Sequence, residues 1–273
     1  LAQAISRTAG LHKDLGNLDQ GLSFARRALT IYEGLYGPDH PAVAGPLLNL
    51  GRIARVRGEF EDAEAHYRRA IGIIERTEGP NVARLGSFYN NLGNVYSNME
   101  RIPEAERALR RALEIRETHL GGEHVRTAFP LLNLAQIELD RGDVEDAEKK
   151  IRRALKIRER AYQPGSARLL DPLVLVGRLE LKLGDLDAAL VALERAHALF
   201  EALPEADRAS VPGDLFYWLG VALDRRTPGL ERAWILVNKA ETIHLTAPLG
   251  SARKLVQTQA WLERHPRPSG SSG

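Results

Sequence analysis

Tyr89-Asn90-Asn91-Leu92-Gly93-Asn94-Val95-Tyr96, followed at helical intervals by Ala105 and Ala112, sets the register in which the whole chain can be laid out. Gly93 stands 42 residues after Gly51 and 42 before Ala135, and Gly177 lies one step further on. Ala112 belongs to a second row with the same step, Ala28, Ala70, Ala112, Ala154 and Ala196. A period of this length marks a supersecondary unit that leaves its apolar face uncovered when alone, so units stack and expose a long surface to a partner.

The unit reads most plainly in the copy before. Leu47, Leu50, Gly51 and Ala54 recur at helical spacing and end at Arg57-Gly58-Glu59. A second helix carries Phe60, Ala63, Tyr67, Ala70, Ile71 and Ile74 on one face, with Glu61, Asp62 and Glu64 in the first turn, where acids suit the helix dipole. Gly16, Gly58, Gly142 and Gly184 supply left-handed caps to the first helices. Glu100 holds that rung in the third copy, so its turn is expected to close differently, through Asn98, or to accept strain. Gly37, Gly79 and Gly121 punctuate the joins between copies. Pro46, Pro130 and Pro172, with Phe88 at the missing rung, predict that the first helix starts or bends there. Small residues at 51, 93, 135 and 177 let the two helices cross closely.

Propeller blades and HEAT-type helical pairs also repeat every roughly 40 to 47 residues. A propeller requires alternating strands, whereas these segments follow the 3.6-residue helical period. Against HEAT pairs stands the residue pattern: Tyr89-x2-Leu92-Gly93-x2-Tyr96 with Ala105 and Ala112 resembles the tetratricopeptide consensus. The 42-residue unit, with Gly37-Pro38-Asp39-His40-Pro41 ahead of Leu48-Asn49-Leu50-Gly51, resembles the kinesin-light-chain subfamily. Asn90-Asn91-Leu92, Glu104-Ala105-Glu106, Glu145-Asp146-Ala147-Glu148, Arg111-Ala112-Leu113-Glu114-Ile115 and Arg153-Ala154-Leu155-Lys156-Ile157 carry the same resemblance, which spans about residues 11 to 203.

The resemblance implies an all-α, right-handed superhelical solenoid of about six hairpins with a capping helix. As one domain over 1–264 it divides into repeats of about 1–36, 37–78, 79–120, 121–162, 163–205 and 206–247, a capping helix at 248–264 and a flexible tail at 265–273. Beyond Leu203 the register slips, since Gly220 lies 43 after Gly177 and Ala240 lies 44 after Ala196. Phe216-Tyr217-Trp218-Leu219-Gly220-Val221-Ala222-Leu223, Glu231-Arg232-Ala233-Trp234, Lys239-Ala240 and Trp261-Leu262-Glu263-Arg264-His265 resemble the C-terminal tetratricopeptide region of bacterial serine/threonine protein kinases. All three tryptophans lie here and are expected to plug the last face of the stack rather than to recognise a ligand. Leu1 falls part-way through a helical pattern, which reads as a piece of a longer chain.

Bulk properties narrow the function. Lys plus Arg (38) and Asp plus Glu (36) nearly cancel, for a formal charge of +2, which speaks against nucleic acid or an anionic membrane as partner. The chain has no cysteine, no apolar run of membrane-spanning length and no export signal, as suits a cytoplasmic protein. Phosphate-binding loops, His-Glu-x-x-His and Gly-x-Ser-x-Gly are missing, so neither enzyme nor cofactor is expected. His40 and His124 fit the loop signature, where histidine caps or packs.

Flanking the Leu-Gly pair, the inner wall of the stack is expected to carry Asn49, Arg52 and Arg55, then Asn90, Asn91 and Asn94, then Asn133 and Gln136, then Arg178 and Lys182. Asn49, Asn91 and Asn133 are 42 apart. An amide both donates and accepts, so such a row can pair with the backbone of an extended peptide, the role this position has in kinesin light chains. The same amides could instead bond the neighbouring repeat and tighten the stack. The cations tilt the groove toward acidic groups, opposed by Asp140 and Asp171. A second ladder, Arg26-Arg27, Arg68-Arg69, Arg110-Arg111 and Arg152-Arg153, follows Glu64, Glu106 and Glu148 by four residues and reads as a self-neutralised outer face. The expected function is a protein-interaction scaffold that holds a peptide or protein, the docking region of a bacterial signalling kinase. Two other settings are a clamp within a STAND-type signalling ATPase and a stand-alone cargo adaptor.

Overall fold

The structure, a computed structural model, describes residues 2–208, 211, 213–246 and 252–267. The regular structure among the described residues is helical, without a strand. The expected all-α hairpin architecture is what the chain adopts. Contacts group the chain into two compact units, Leu1–Glu123 and His124–Gly273.

The first unit holds α1 (Ala2–Asp14), α2 (Leu18–Tyr36), α3 (Ala44–Arg57), α4 (Phe60–Glu78), α5 (Leu85–Asn98) and α6 (Ile102–Leu120). Successive helices pair as hairpins, and each second helix packs on the first helix of the next hairpin. The first helices α1, α3 and α5 also touch one another, so they lie on the tighter, inner side of the stack. The second unit holds α7 (Ala128–Arg141), α8 (Val144–Ala161), α9 (Leu170–Leu183), α10 (Leu186–Glu201), a single turn α11 (Glu205–Arg208), α12 (Asp214–Arg226), α13 (Glu231–Thr246) and α14 (Ala252–Arg264). Its inner wall is α7, α9 and α12. Residues 248–251 of the expected capping helix and 268–273 of the expected tail lie outside the described residues.

The alanine ladder is the spine of both cores: Ala28, Ala70, Ala112, Ala154 and Ala196 are all fully buried. At the glycine crossing, a Cβ on Gly51 would stand 2.5 Å from the Tyr67 ring, and one on Gly177 would stand 2.3 Å from Leu193 Cγ. Close approach of the paired helices is therefore built into these positions. Glu100 takes the strained course, with φ of 58°. Arg101 N–H donates to Tyr96 O at 2.9 Å, as Glu59 N–H does to Ala54 O after Gly58, and the Asn98 side chain has no part in it. A side chain in that left-handed conformation costs about 1–2 kcal/mol. Pro46, Pro130 and Pro172 sit in the first turns of α3, α7 and α9, where a missing N–H is harmless. His40 and His124 cap the short turns before α3 and α7, each accepting from a backbone N–H at 3.1 Å, and Ser166 does so before α9.

The arginine ladder divides its work. Arg68, Arg110 and Arg152 pair with Glu64, Glu106 and Glu148 one turn back. Arg69 and Arg111 instead reach across the join and donate to Pro38 O at 2.9 Å and Pro80 O at 2.7 Å, and Arg69 also pairs with Glu33. Arg195 repeats the reach to Glu159 at 2.7 Å. These side chains clasp one hairpin to the preceding one.

The last helix is held by polar contacts around a buried aromatic. Trp261 is buried in the core of the second unit, with Trp218 and Trp234 packed against that core, so the plug reading of the tryptophans fits their placement. Lys254 pairs with Asp214 at 2.5 Å, and His244 Nδ1 meets Thr258 Oγ1 at 3.1 Å. Burial pushes the Asp214 carboxyl up, but the Lys254 ammonium and the His244 ring beside it hold it well below the usual carboxylate range. A depressed carboxylate stabilises the fold above its unfolded value, near pH 4, and loses that contribution as the pH falls. Asp214→Asn is therefore expected to cost about 1 kcal/mol at pH 7, with the gap to the parent protein closing toward pH 2. Thermal melting across that range measures it; a gap that persists in acid would remove the ion pair from the account. No helix among the described residues is long and apolar enough to cross a membrane.

Candidate protein-binding groove

In the first unit the first helices α3 and α5 between them carry basic residues and no acid. Arg52, Arg55 and Arg57 on α3 are accompanied by no acid on that helix, and α5 has no charged residue. Arg57 is paired with Asp19 and Glu59. Arg52 and Arg55 are half-buried and have no acidic partner among the described residues, and Arg55 Nε is buried without a hydrogen bond. Both guanidinium groups lie near the buried Tyr67 hydroxyl, whose pKa is raised by burial against their opposing pull. Desolvated cations without counterions attract carboxylates strongly.

The amides are arranged differently from one another. Asn49 Nδ2 donates to Ser6 O at 2.7 Å and Ser6 Oγ at 3.3 Å, which ties α3 to α1. Asn91 Nδ2 donates to Ser87 O, one turn back in α5, at 2.9 Å. Each amide thus spends a donor within the protein, while its Oδ1 accepts from no described residue. Asn94 is half-buried on the same helix, whereas Asn90 is buried on the packed side of α5.

In the second unit Asn133 and Gln136 are half-buried on α7, with Gln136 donating to Asp140 Oδ2 at 3.2 Å. Arg178 is buried, paired with Asp140 and 5.1 Å from the centre of the Trp218 ring. Its charge is answered inside the protein. Lys182 is exposed. The structure brings Asn49, Arg52, Arg55, Asn91 and Asn94 onto the neighbouring helices α3 and α5 of one unit, and Asn133, Gln136, Arg178 and Lys182 onto α7 and α9 of the other. Sequence reasoning passed over Ser6 and Ser87. Ser87 belongs to a row with Gly45 and Phe129, one helical turn before the asparagines, and that offset was the available signal.

Stacked hairpins whose first helices line a polar inner face define a helical-repeat scaffold. The chain belongs to the tetratricopeptide repeat family, whose model matches residues 1–76, 44–118, 84–160 and 126–202 in overlapping steps. Members of this family generally mediate protein–protein interaction. No curated protein sequence matches the chain. Among solved structures, BtubC (BKLC) from P. vanneervenii is similar with 24% identity over 96% of both chains and a TM-score of 0.58. A putative kinesin light chain from Podosopora anserina, with nearly identical TPR-like repeats, has 18% identity over 72% of this chain and 93% of its own, with a TM-score of 0.58. PilW, a widely conserved type IV pilus biogenesis factor, has 16% identity over 96% and 92%, with a TM-score of 0.57. At these identities the likeness is one of fold, and the fold is kinesin-light-chain-like.

Proposed function

We propose that the chain is a protein-interaction scaffold whose inner groove holds an extended, acidic segment of a partner protein. The observation that carries this is that Arg52 and Arg55, without an acidic partner among the described residues, share the neighbouring helices α3 and α5 with Asn49 and Asn91, whose Oδ1 atoms accept from no described residue. The cations attract acidic side chains, and the amide oxygens take backbone N–H groups irrespective of sequence. Arg178 is already paired with Asp140, so the acidic preference is assigned to α3. In the second unit, taken by itself, Asn133 and Gln136 on α7 and the exposed Lys182 on α9 are the corresponding groups.

The last section's resemblance to kinase-attached repeats supports the further reading that the chain is the sensing or docking region of a cytoplasmic bacterial serine/threonine kinase. A Gly-rich loop, a strand lysine and His-Arg-Asp encoded upstream of Leu1 would bear that out, and a Walker loop there would replace it with a signalling ATPase.

The groove is tested with a panel of labelled twelve-residue peptides, matched in apolar content and rich in either Asp/Glu or Lys/Arg, read by fluorescence anisotropy. Acidic peptides are expected to bind at least tenfold tighter, and the Asn91→Ala/Arg52→Gln variant to lose roughly tenfold or more with unchanged helicity. Equal affinity for the two peptide classes would end the proposal.

A further inference from the structure

A cavity of about 380 Å³ lies in the second unit where α7, α8 and α9 meet the segment between α10 and α12. That join is longer than the others and includes the extra turn α11, and from it Leu203, Asp207 and Val211 contribute a wall. Phe129, Tyr162 and Leu170 supply the rest of the apolar lining. The volume is in the range of small-molecule sites, roughly 300–1,000 Å³.

Arg158 is the polar group built into it. Its side chain is only 4% exposed, donates to Arg168 O at 2.8 Å and lies 4.9 Å from the centre of the Phe129 ring. The carboxylate beside it, Asp171, stands 3.5 Å away and is 63% exposed, so the buried charge is incompletely answered; a tight charge-assisted contact is about 2.7–2.9 Å. Burial accordingly pulls the Arg158 guanidinium below its usual value. Arg168, also in the lining, lies over the Tyr162 ring and has no acidic partner among the described residues. The arginine is periodic but the aromatic is not. Arg116 holds the same rung 42 residues earlier, where the residue matching Phe129 is Ser87, and its stem packs on Gly86.

We propose that this cavity binds an apolar carboxylate: an aromatic or branched apolar group against Phe129, Leu170, Leu203 and Val211, with its carboxylate on Arg158 and Arg168. The incoming group displaces Asp171, which swings into solvent. Two sources share this chemistry, a free small acid and the C-terminal residue of a peptide. The site is separate from the Arg52/Arg55 groove, so either can fail without the other.

Isothermal titration of the intact chain with 3-phenylpropionate, its amide, and the tripeptide acetyl-Ala-Ala-Phe as free acid and as amide tests the assignment. At least one acid is expected to bind saturably and roughly tenfold tighter than its amide. Binding of 3-phenylpropionate assigns the site to free acids, and binding of the tripeptide acid alone assigns it to chain ends. Asp171→Asn removes the competing carboxylate and is expected to tighten the acid severalfold, with a lower melting temperature for the unliganded chain, since the buried Arg158 loses its acidic neighbour. Arg52→Glu is expected to leave it unchanged. Acid and amide binding equally, no binding by either acid at millimolar concentration even in Asp171→Asn, or no gain in that variant overturns the proposal.

Discussion

Ala154→Asp is expected to unfold the unit His124–Gly273, with a loss of more than about 4 kcal/mol. Ala154 is fully buried on α8, and Ile151 and Ile157 of the same helix are buried as well. Arg158, one turn further along α8, is already engaged by Arg168 O and Asp171, and a buried charge without full pairing is among the costliest single changes known in folded proteins. Total stabilities of about 5–15 kcal/mol leave little beyond such a loss. Because repeats contact chiefly their neighbours, the damage is expected to spread outward from α8 and to leave helical signal in the Leu1–Glu123 unit. Ala198→Asp, on the exposed face of α10, is the control and is expected to stay within about 0.5 kcal/mol of the parent. Urea denaturation followed by circular dichroism separates the two. A melt of Ala154→Asp that overlays the control would mean that the alanine ladder is not the spine of the stack.

The features read correctly from the sequence are those whose geometry is local to one helix or one hairpin. A left-handed turn at Gly58, a Glu64–Arg68 pair one turn apart and a first-turn proline at 130 follow from helical rise and rotation alone, and the 42-residue period multiplies the evidence for each. Glu100 is the instructive case, because the backbone closes in the same way with a residue that pays for it in strain. Contacts between hairpins were hidden. Asn49 spends its donor on Ser6, which lies 43 residues earlier on another helix, and Arg69 and Arg111 turn back onto joins that the helix pattern says nothing about. Arg178 was read as a groove cation because its register matches Arg52. Its burial depends on Asp140 and Trp218, and Trp218 lies on α12, beyond the point where the register slips. Rotation between neighbouring hairpins decides which flank of a first helix faces out, and that rotation is set by core side chains acting together. The same limit applies to the amides: periodicity could place Asn49 and Asn91 in one row, but only the packing of α1 and α3 distinguishes a cross-helix bond from one made within α5.

Gly220→Ala is expected to lower stability by about 2–3 kcal/mol although it improves the intrinsic helix propensity by roughly 1 kcal/mol. A Cβ at this position would stand 2.8 Å from the carbonyl oxygen of Ala233 and 2.5 Å from Val237 Cγ2. A side chain can rotate out of the way, but a carbonyl within α13 moves only with the helix. The crossing of α12 on α13 must therefore open, thinning the contacts of Leu219, Ala222, Val237 and Ala240 in the core to which Trp261 of the last helix also belongs. Gly177 presents a milder version of the problem, since its closest neighbour is the side chain of Leu193, and the fourth copy already carries Ala135 in that register. The contrasting substitution is Gly34→Ala in α2, where a Cβ would meet nothing within 4 Å, so only the propensity gain remains and stability is expected to rise by about 0.5–1 kcal/mol. The two changes are chemically identical and opposite in expected sign. Melting temperatures should move apart by several degrees, with the emission of the three tryptophans shifting only in Gly220→Ala. If both variants gained stability, α12 and α13 would not cross at Gly220, and the close-packed end of the second unit would have to be redrawn.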